Sequence, residues 1–140
     1  MITVQYEREF SYPYDQDGQR YPRLTLRVSN TVDPARGALD IDAYLDSGAQ
    51  RSLFDGGIGR ALGINLLSGE QKHFESTTGS SLAATLHPVR LEHVELGAFE
   101  LAVGFSSSRI KRNLLGRDFF NLAQIGFREH ELTFYITPKP

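Results

Sequence analysis

The clearest signal along the chain is an alternation of apolar and polar positions with a period of two. From Leu39 to Asp46 it runs unbroken, with Leu39, Ile41, Ala43 and Leu45 on one face and Asp40, Asp42, Tyr44 and Asp46 on the other. That period belongs to a half-buried strand. The strand stops at Asp46, because Ser47-Gly48-Ala49 follows at once and glycine lets the backbone turn where a Cβ would obstruct it. A carboxylate is left at a strand end with a hydroxyl beside it.

The same alternation recurs in shorter pieces. Ile2, Val4, Tyr6 and Phe10 predict a first strand within residues 1–10, and Leu24, Leu26 and Val28 predict a second. A loop through Asn30, Asp33, Pro34 and Gly37 joins this second strand to the Leu39 strand, so the two are expected as antiparallel neighbours. Residues 70–91 read as a β-hairpin whose tip, Glu75 to Ser81, is small and polar. Val89 and Leu91, then Phe99, Leu101, Val103 and Phe105, supply two strands turning near Gly97, and Leu132, Phe134 and Ile136 supply a closing one. Helical spacing is scarce. Leu53, Phe54, Ile58, Ala61 and Leu62 approximate it within Ser52–Gly63, where Gly56, Gly57 and Gly59 make any helix short and dependent on packing. A second helical turn is expected near Asp118, after a glycine turn at Gly116. Many short strands with two short helices predict an all-β barrel or sandwich.

Composition narrows the classes. With 140 residues and 40% hydrophobic content, the chain suits one core. The formal charge of −2 offers no basic footprint, so neither nucleic acid nor an anionic membrane is expected as a partner. Cysteine is absent, which removes disulfides, thiolate metal sites and cysteine nucleophiles. The start of the chain lacks the basic-then-apolar order of a signal peptide, and no run reaches transmembrane length, so a soluble, cytoplasmic protein is expected. Asp15-Gln16-Asp17-Gly18 matches the opening of a calcium loop but lacks its later ligands, and is read as a turn. His73, His87, His93 and His130 have no ligand spacing, and no metal or other cofactor is expected.

Asp46-Ser47-Gly48 alone is a common turn sequence. Its context is more specific: it ends an alternating strand, continues into Ala49-Gln50, and is followed by a hairpin and then by Leu114-Leu115-Gly116-Arg117-Asp118. In that order these motifs resemble the retropepsin-like aspartic proteases, over roughly residues 22–136, with Asp-Ser-Gly-Ala-Gln similar to the cellular branch found in ubiquitin-shuttle proteins. The resemblance implies a closed acid-protease-type β-barrel with a flap hairpin and one or two short helices. Residues 21–140 would form the protease domain and residues 1–20 an N-terminal extension or strand. It further implies Asp46 as the catalytic residue, with Ser47, Gly48, Ala49, Leu114, Leu115, Gly116 and Arg117 supporting the catalytic loop. Gln50, together with Thr77, Thr78, Gly79 and Ser80 of the flap, would contact substrate.

The chemistry agrees with the count of one such triplet per chain. Metal-free peptide hydrolysis uses two carboxylates sharing a proton, because like charges held close cannot both ionise. One Asp46 per chain therefore requires a homodimer, acting on peptide or unfolded protein. In viral members the termini interleave between protomers, and Glu131–Ile136 is the segment that would do so here. One departure stands out: where many viral members carry an acid that pairs with the Gly-Arg arginine, this chain has Gln50. That departure and the small polar flap motivate a rival reading, a dimeric peptide-binding or assembly module without useful catalysis.

Overall fold

The computed structural model describes residues 1–76 and 78–139. Ten strands, β1 (Arg8–Ser11), β2 (Arg23–Asn30), β3 (Ala38–Leu45), β4 (Leu53–Phe54), β5 (Glu70–Glu75), β6 (Ser81–His93), β7 (Gly97–Ser106), β8 (Asn113–Leu115), β9 (Ala123–Arg128) and β10 (Thr133–Pro138), are joined by loops and two short helices, α1 (Gly56–Ala61) and α2 (Arg117–Phe120). Strands β2, β3, β8, β4, β7 and β6 are neighbours in that order, and β6 pairs back to β2, closing a barrel. Strand β5 hangs from β6 outside the ring, and β1, β10 and β9 make a separate three-stranded sheet.

The alternation between Leu39 and Asp46 has the consequence its period demands. Ile41, Ala43 and Leu45 are buried while Asp40 and Asp42 face solvent, and β2 pairs with β3 antiparallel with Leu26 opposite Ile41. Strand β7 also follows its pattern, burying Phe99, Val103 and Phe105. The segment read as the second arm of a hairpin followed by a separate strand is one continuous strand, β6, which changes partner partway. It pairs with β5 as far as Leu86 and with β2 from Val89. Pro88 falls in the gap between those two partners, a position that tolerates a residue without an N–H.

Three expectations are corrected. Leu53 and Phe54 do not begin a helix; they form β4, wedged parallel to β7 and antiparallel to β8. The helix starts only at Gly56, where the Asp55 side chain accepts from the Gly57 N–H. Its glycines have a packing reason, since a Cβ on Gly56 would collide with the Ser106 carbonyl and one on Gly59 would press on Phe105 and Leu66 at 3.0 Å. The first strand is shorter than its alternation suggested, with Ile2 and Val4 exposed and pairing confined to Arg8–Ser11. Strand β9 was not anticipated at all.

The extension at the start of the chain joins the far end of the fold. Strand β1 runs antiparallel to β10 with Phe10 opposite Phe134, and these rings stack at 5.1 Å. Tyr12 is 1% exposed, and its hydroxyl donates to Glu129. The other edge of β10 is taken by β9. In Glu131–Ile136, the segment offered for exchange between protomers, the strand residues Thr133–Ile136 thus have both edges occupied within their own chain.

Candidate active site

Asp46 stands where β3 ends beside β8. Its N–H donates to the Leu115 carbonyl at 2.9 Å, continuing the parallel β3–β8 ladder by one bond beyond the strand. The chain then turns: Ala49 N–H donates back to the Asp46 carbonyl, and Gly48 N–H donates to Asp46 Oδ1 at 2.9 Å. This second bond fixes the carboxylate through the backbone of the residue that the sequence required to be small. Ser47 and Gln50 are exposed, Asp46 and Ala49 half-buried.

The two sequence motifs meet directly. Arg117 N–H donates to the Ala49 carbonyl at 2.8 Å, and a Cβ on Gly116 would lie 2.8 Å from the Ala49 oxygen and 2.6 Å from the Arg51 carbonyl carbon. Only glycine lets these backbones approach so closely. Beneath them lies a clamp that sequence reasoning missed. The Asp118 carboxylate accepts from Ser52 N–H at 3.0 Å, from Ser52 Oγ at 2.7 Å and from Phe119 N–H at 2.8 Å, while Ser52 Oγ accepts from Gly116 N–H at 3.0 Å. Ser52 is fully buried. A lone serine and a lone aspartate so far apart carry no spacing signal; the only clue was an acid directly after Gly-Arg.

Asp46 opens into a cleft of about 1010 Å³. Gly48, Ala49, Gln50 and Arg51 lie on its Asp46 side, Leu53 and Leu114 are apolar lining, and Lys72–Ser76 with Ser80–Leu82 of the β5–β6 hairpin complete the wall. Leu115 points into the core instead. The hairpin tip is a tight polar turn in which Gly79 adopts φ +85°, Gly79 N–H donates to the Ser76 carbonyl, and the hydroxyls of Ser76, Thr78 and Ser80 lie within hydrogen-bonding distance of one another. Thr78 and Gly79 are exposed there and Ser80 reaches the cleft, while Thr77 lies outside the described residues. Lys72 and His73 line the cleft although neither was singled out for it.

Arg117 does not find its partner in Gln50. Its exposed side chain borders a smaller polar concavity of about 330 Å³ with Gln50, Arg51, Asp118 and Asn121, and among the described residues it makes no ion pair. Among the same residues, no group of three His, Cys, Asp or Glu side chains is placed to hold a metal ion, and no helix is long and apolar enough to cross a membrane.

On the polar face that β3 shares with Asp46, Tyr44 anchors a second network. Its hydroxyl donates to Asp15 Oδ2 at 2.6 Å, Arg23 pairs with Asp15 at 3.2 Å, and the Arg112 guanidinium sits over the Tyr21 and Tyr44 rings at 4.3 and 4.9 Å. The Asp-x-Asp-Gly turn is therefore held to the barrel by ionic contacts from Arg23 and Arg112. The Tyr44 hydroxyl, foremost, and the Gln16 N–H hold the Asp15 carboxyl below the ordinary carboxylate range; Arg112 and Arg23 add to this against the effect of burial. A depressed folded pKa contributes stability above the unfolded value of about 3.9, and that stability is lost as pH falls through the folded one. The melting-temperature difference between the parent and Asp15→Asn is expected to be largest near neutrality and to shrink below about pH 4; thermal melts across that range check it, and a pH-independent difference would contradict it.

No protein-family model matches the chain, and no curated protein matches it in sequence. Solved structures do match. A retropepsin-like aspartic protease from Rickettsia conorii superposes with a TM-score of 0.58 at 17% identity, covering 97% of this chain and 96% of that one. EIAV protease in complex with the inhibitor HBY-793 superposes with a TM-score of 0.53 at 16% identity, covering 78% and 91%. The barrel, its two short helices and the element order are thus those of the retropepsin-like aspartic protease fold.

Proposed function

We propose that the chain is an aspartic endopeptidase of retropepsin type, active as a homodimer in which Asp46 and Asp46 of the partner subunit form the catalytic pair. The observation that carries this is the Asp46 carboxylate, half-buried at the end of β3, oriented by the Gly48 N–H and open to a cleft large enough for an extended peptide. In the reaction one carboxylate takes a proton from water as the water oxygen attacks the peptide carbonyl carbon. The other, carrying the shared proton, gives it to the carbonyl oxygen. Collapse of the tetrahedral intermediate breaks the C–N bond: the leaving amine nitrogen takes a proton from the pair while a gem-diol hydroxyl returns one to it as the carbonyl re-forms, leaving one proton shared as before.

Ser47, Gly48 and Ala49 hold this loop, with Leu114, Leu115, Gly116 and Arg117 behind it. The β5–β6 hairpin serves as the flap, its tip closing over substrate with Thr78, Gly79 and Ser80 to exclude water. Strand β5 has one free edge, which suits main-chain bonding to an extended peptide. Because β10 is enclosed by β1 and β9, the dimer uses surfaces other than an exchanged β10.

The pairing requirement gives the test. Rate per protomer on a peptide library should rise with protein concentration and level off as sedimentation reports dimer. A rate per protomer that stays constant while the protein sediments as a monomer would overturn the shared site. Peptide binding without turnover at any concentration would favour the assembly module instead.

A further inference from the structure

Arg51 borders both the Asp46 cleft and the smaller concavity beside it, so the two hollows adjoin along Gln50 and Arg51. At that junction Arg51 and Arg117 line a hollow whose one carboxylate among the described residues, Asp118, already accepts from Ser52 N–H, Ser52 Oγ and Phe119 N–H. Neither arginine makes an ion pair among the described residues. Lys72, which also lines the cleft, is bonded to Glu70 at 3.0 Å, and Lys72 foremost, with a smaller contribution from the Arg51 charge, holds the Glu70 carboxyl below its ordinary range. The carboxylates lining the cleft are Asp46 and Glu75, whereas the adjoining hollow is lined by two arginines, Arg51 and Arg117, and one carboxylate, Asp118. Gln50 and Asn121 add neutral donors there.

We infer that Arg51 and Arg117 form a carboxylate-selecting subsite, so that peptides taken by this cleft carry an aspartate or glutamate near the residue held over Asp46. The inference rests on the proposed hydrolytic role of Asp46 for its readout but on different residues for its content. A planar guanidinium offers paired donors matched to a carboxylate, and two of them with no ion pair among the described residues favour an acidic side chain and repel a basic one. The attraction is partly exposed, so it is moderate and weakens with salt.

Matched peptides carrying Glu, Gln or Lys at one position, scanned along both sides of the scissile bond, would test it at about pH 6, where glutamate is ionised. At one position or more the Glu peptide is expected to exceed the Lys peptide by about 5- to 10-fold in kcat/KM. Arg51→Gln and Arg117→Gln should each reduce that ratio, and Arg51→Glu should invert it. Equal cleavage of Glu and Lys peptides at every position would overturn the subsite while leaving the protease standing. If nothing is cleaved, fluorescence anisotropy of the same peptides separates the two ideas. Tighter binding of the Glu peptide keeps the subsite and discards the protease, and equal binding discards both.

Discussion

Asp46→Asn is expected to lower kcat/KM by about 10²- to 10⁴-fold, the range a positioned acid–base group contributes, with little change in melting temperature. The asparagine keeps an Oδ1 that accepts the Gly48 N–H, and the Leu115 and Ala49 backbone bonds do not involve the side chain. What is lost is ionisation: an amide neither takes a proton from water nor shares one with its counterpart. Mass spectrometry of a digested peptide library, beside thermal melts and sedimentation of the same preparations, measures both sides. A folded, dimeric Asp46→Asn protein that cleaves as fast as the parent would remove Asp46 from the chemistry.

The second large effect concerns stability. Ser52→Ala removes a hydroxyl that donates to the half-buried Asp118 carboxylate and accepts from the buried Gly116 N–H, which is left with no solvent to replace it. Leaving buried polar groups unsatisfied costs about 2–3 kcal/mol, which in a chain of this size lowers the melting temperature by roughly 6–12 °C. Exposed Ser47 is the comparison, since Ser47→Ala should stay within about 0.5 kcal/mol of the parent. Differential scanning calorimetry of the two variants decides it; equal melting temperatures would show that the clamp contributes nothing beyond packing. Because the clamp ties the loop after Asp46 to the Gly116 turn, turnover measured well below the melting point should also fall in Ser52→Ala.

How much of this was legible depended on whether a residue's partner lay close to it along the chain. Strands β3 and β7 were readable because the inward faces of both repeat at every second position. Asp46, Gly48 and Gly116 were readable because a strand end, a turn and a close backbone approach each demand a residue type. Leu53 and Phe54 misled because a two-residue strand has no period, and the glycines that let α1 press against β7 made the whole stretch look like one weak helix. Strand β9 escaped because its apolar positions are brief and only partly buried. The Ser52–Asp118 clamp and the Arg112 network escaped for a different reason: their members come from distant segments, and nothing local marks them until the barrel brings them together.

The pairing of β1 with β10 also bears on the order in which the molecule is made. Phe10 is synthesised long before its stacking partner, Phe134. Until β10 has been made β1 has no strand to join, and the loop that closes when they pair spans every element from β2 to β9, the kind of long-range contact that slows folding. The barrel strands β2 and β3, adjacent along the chain, have no such wait. A nascent chain halted before β10 would carry Phe10 and Tyr12 without Phe134, the ring both pack against.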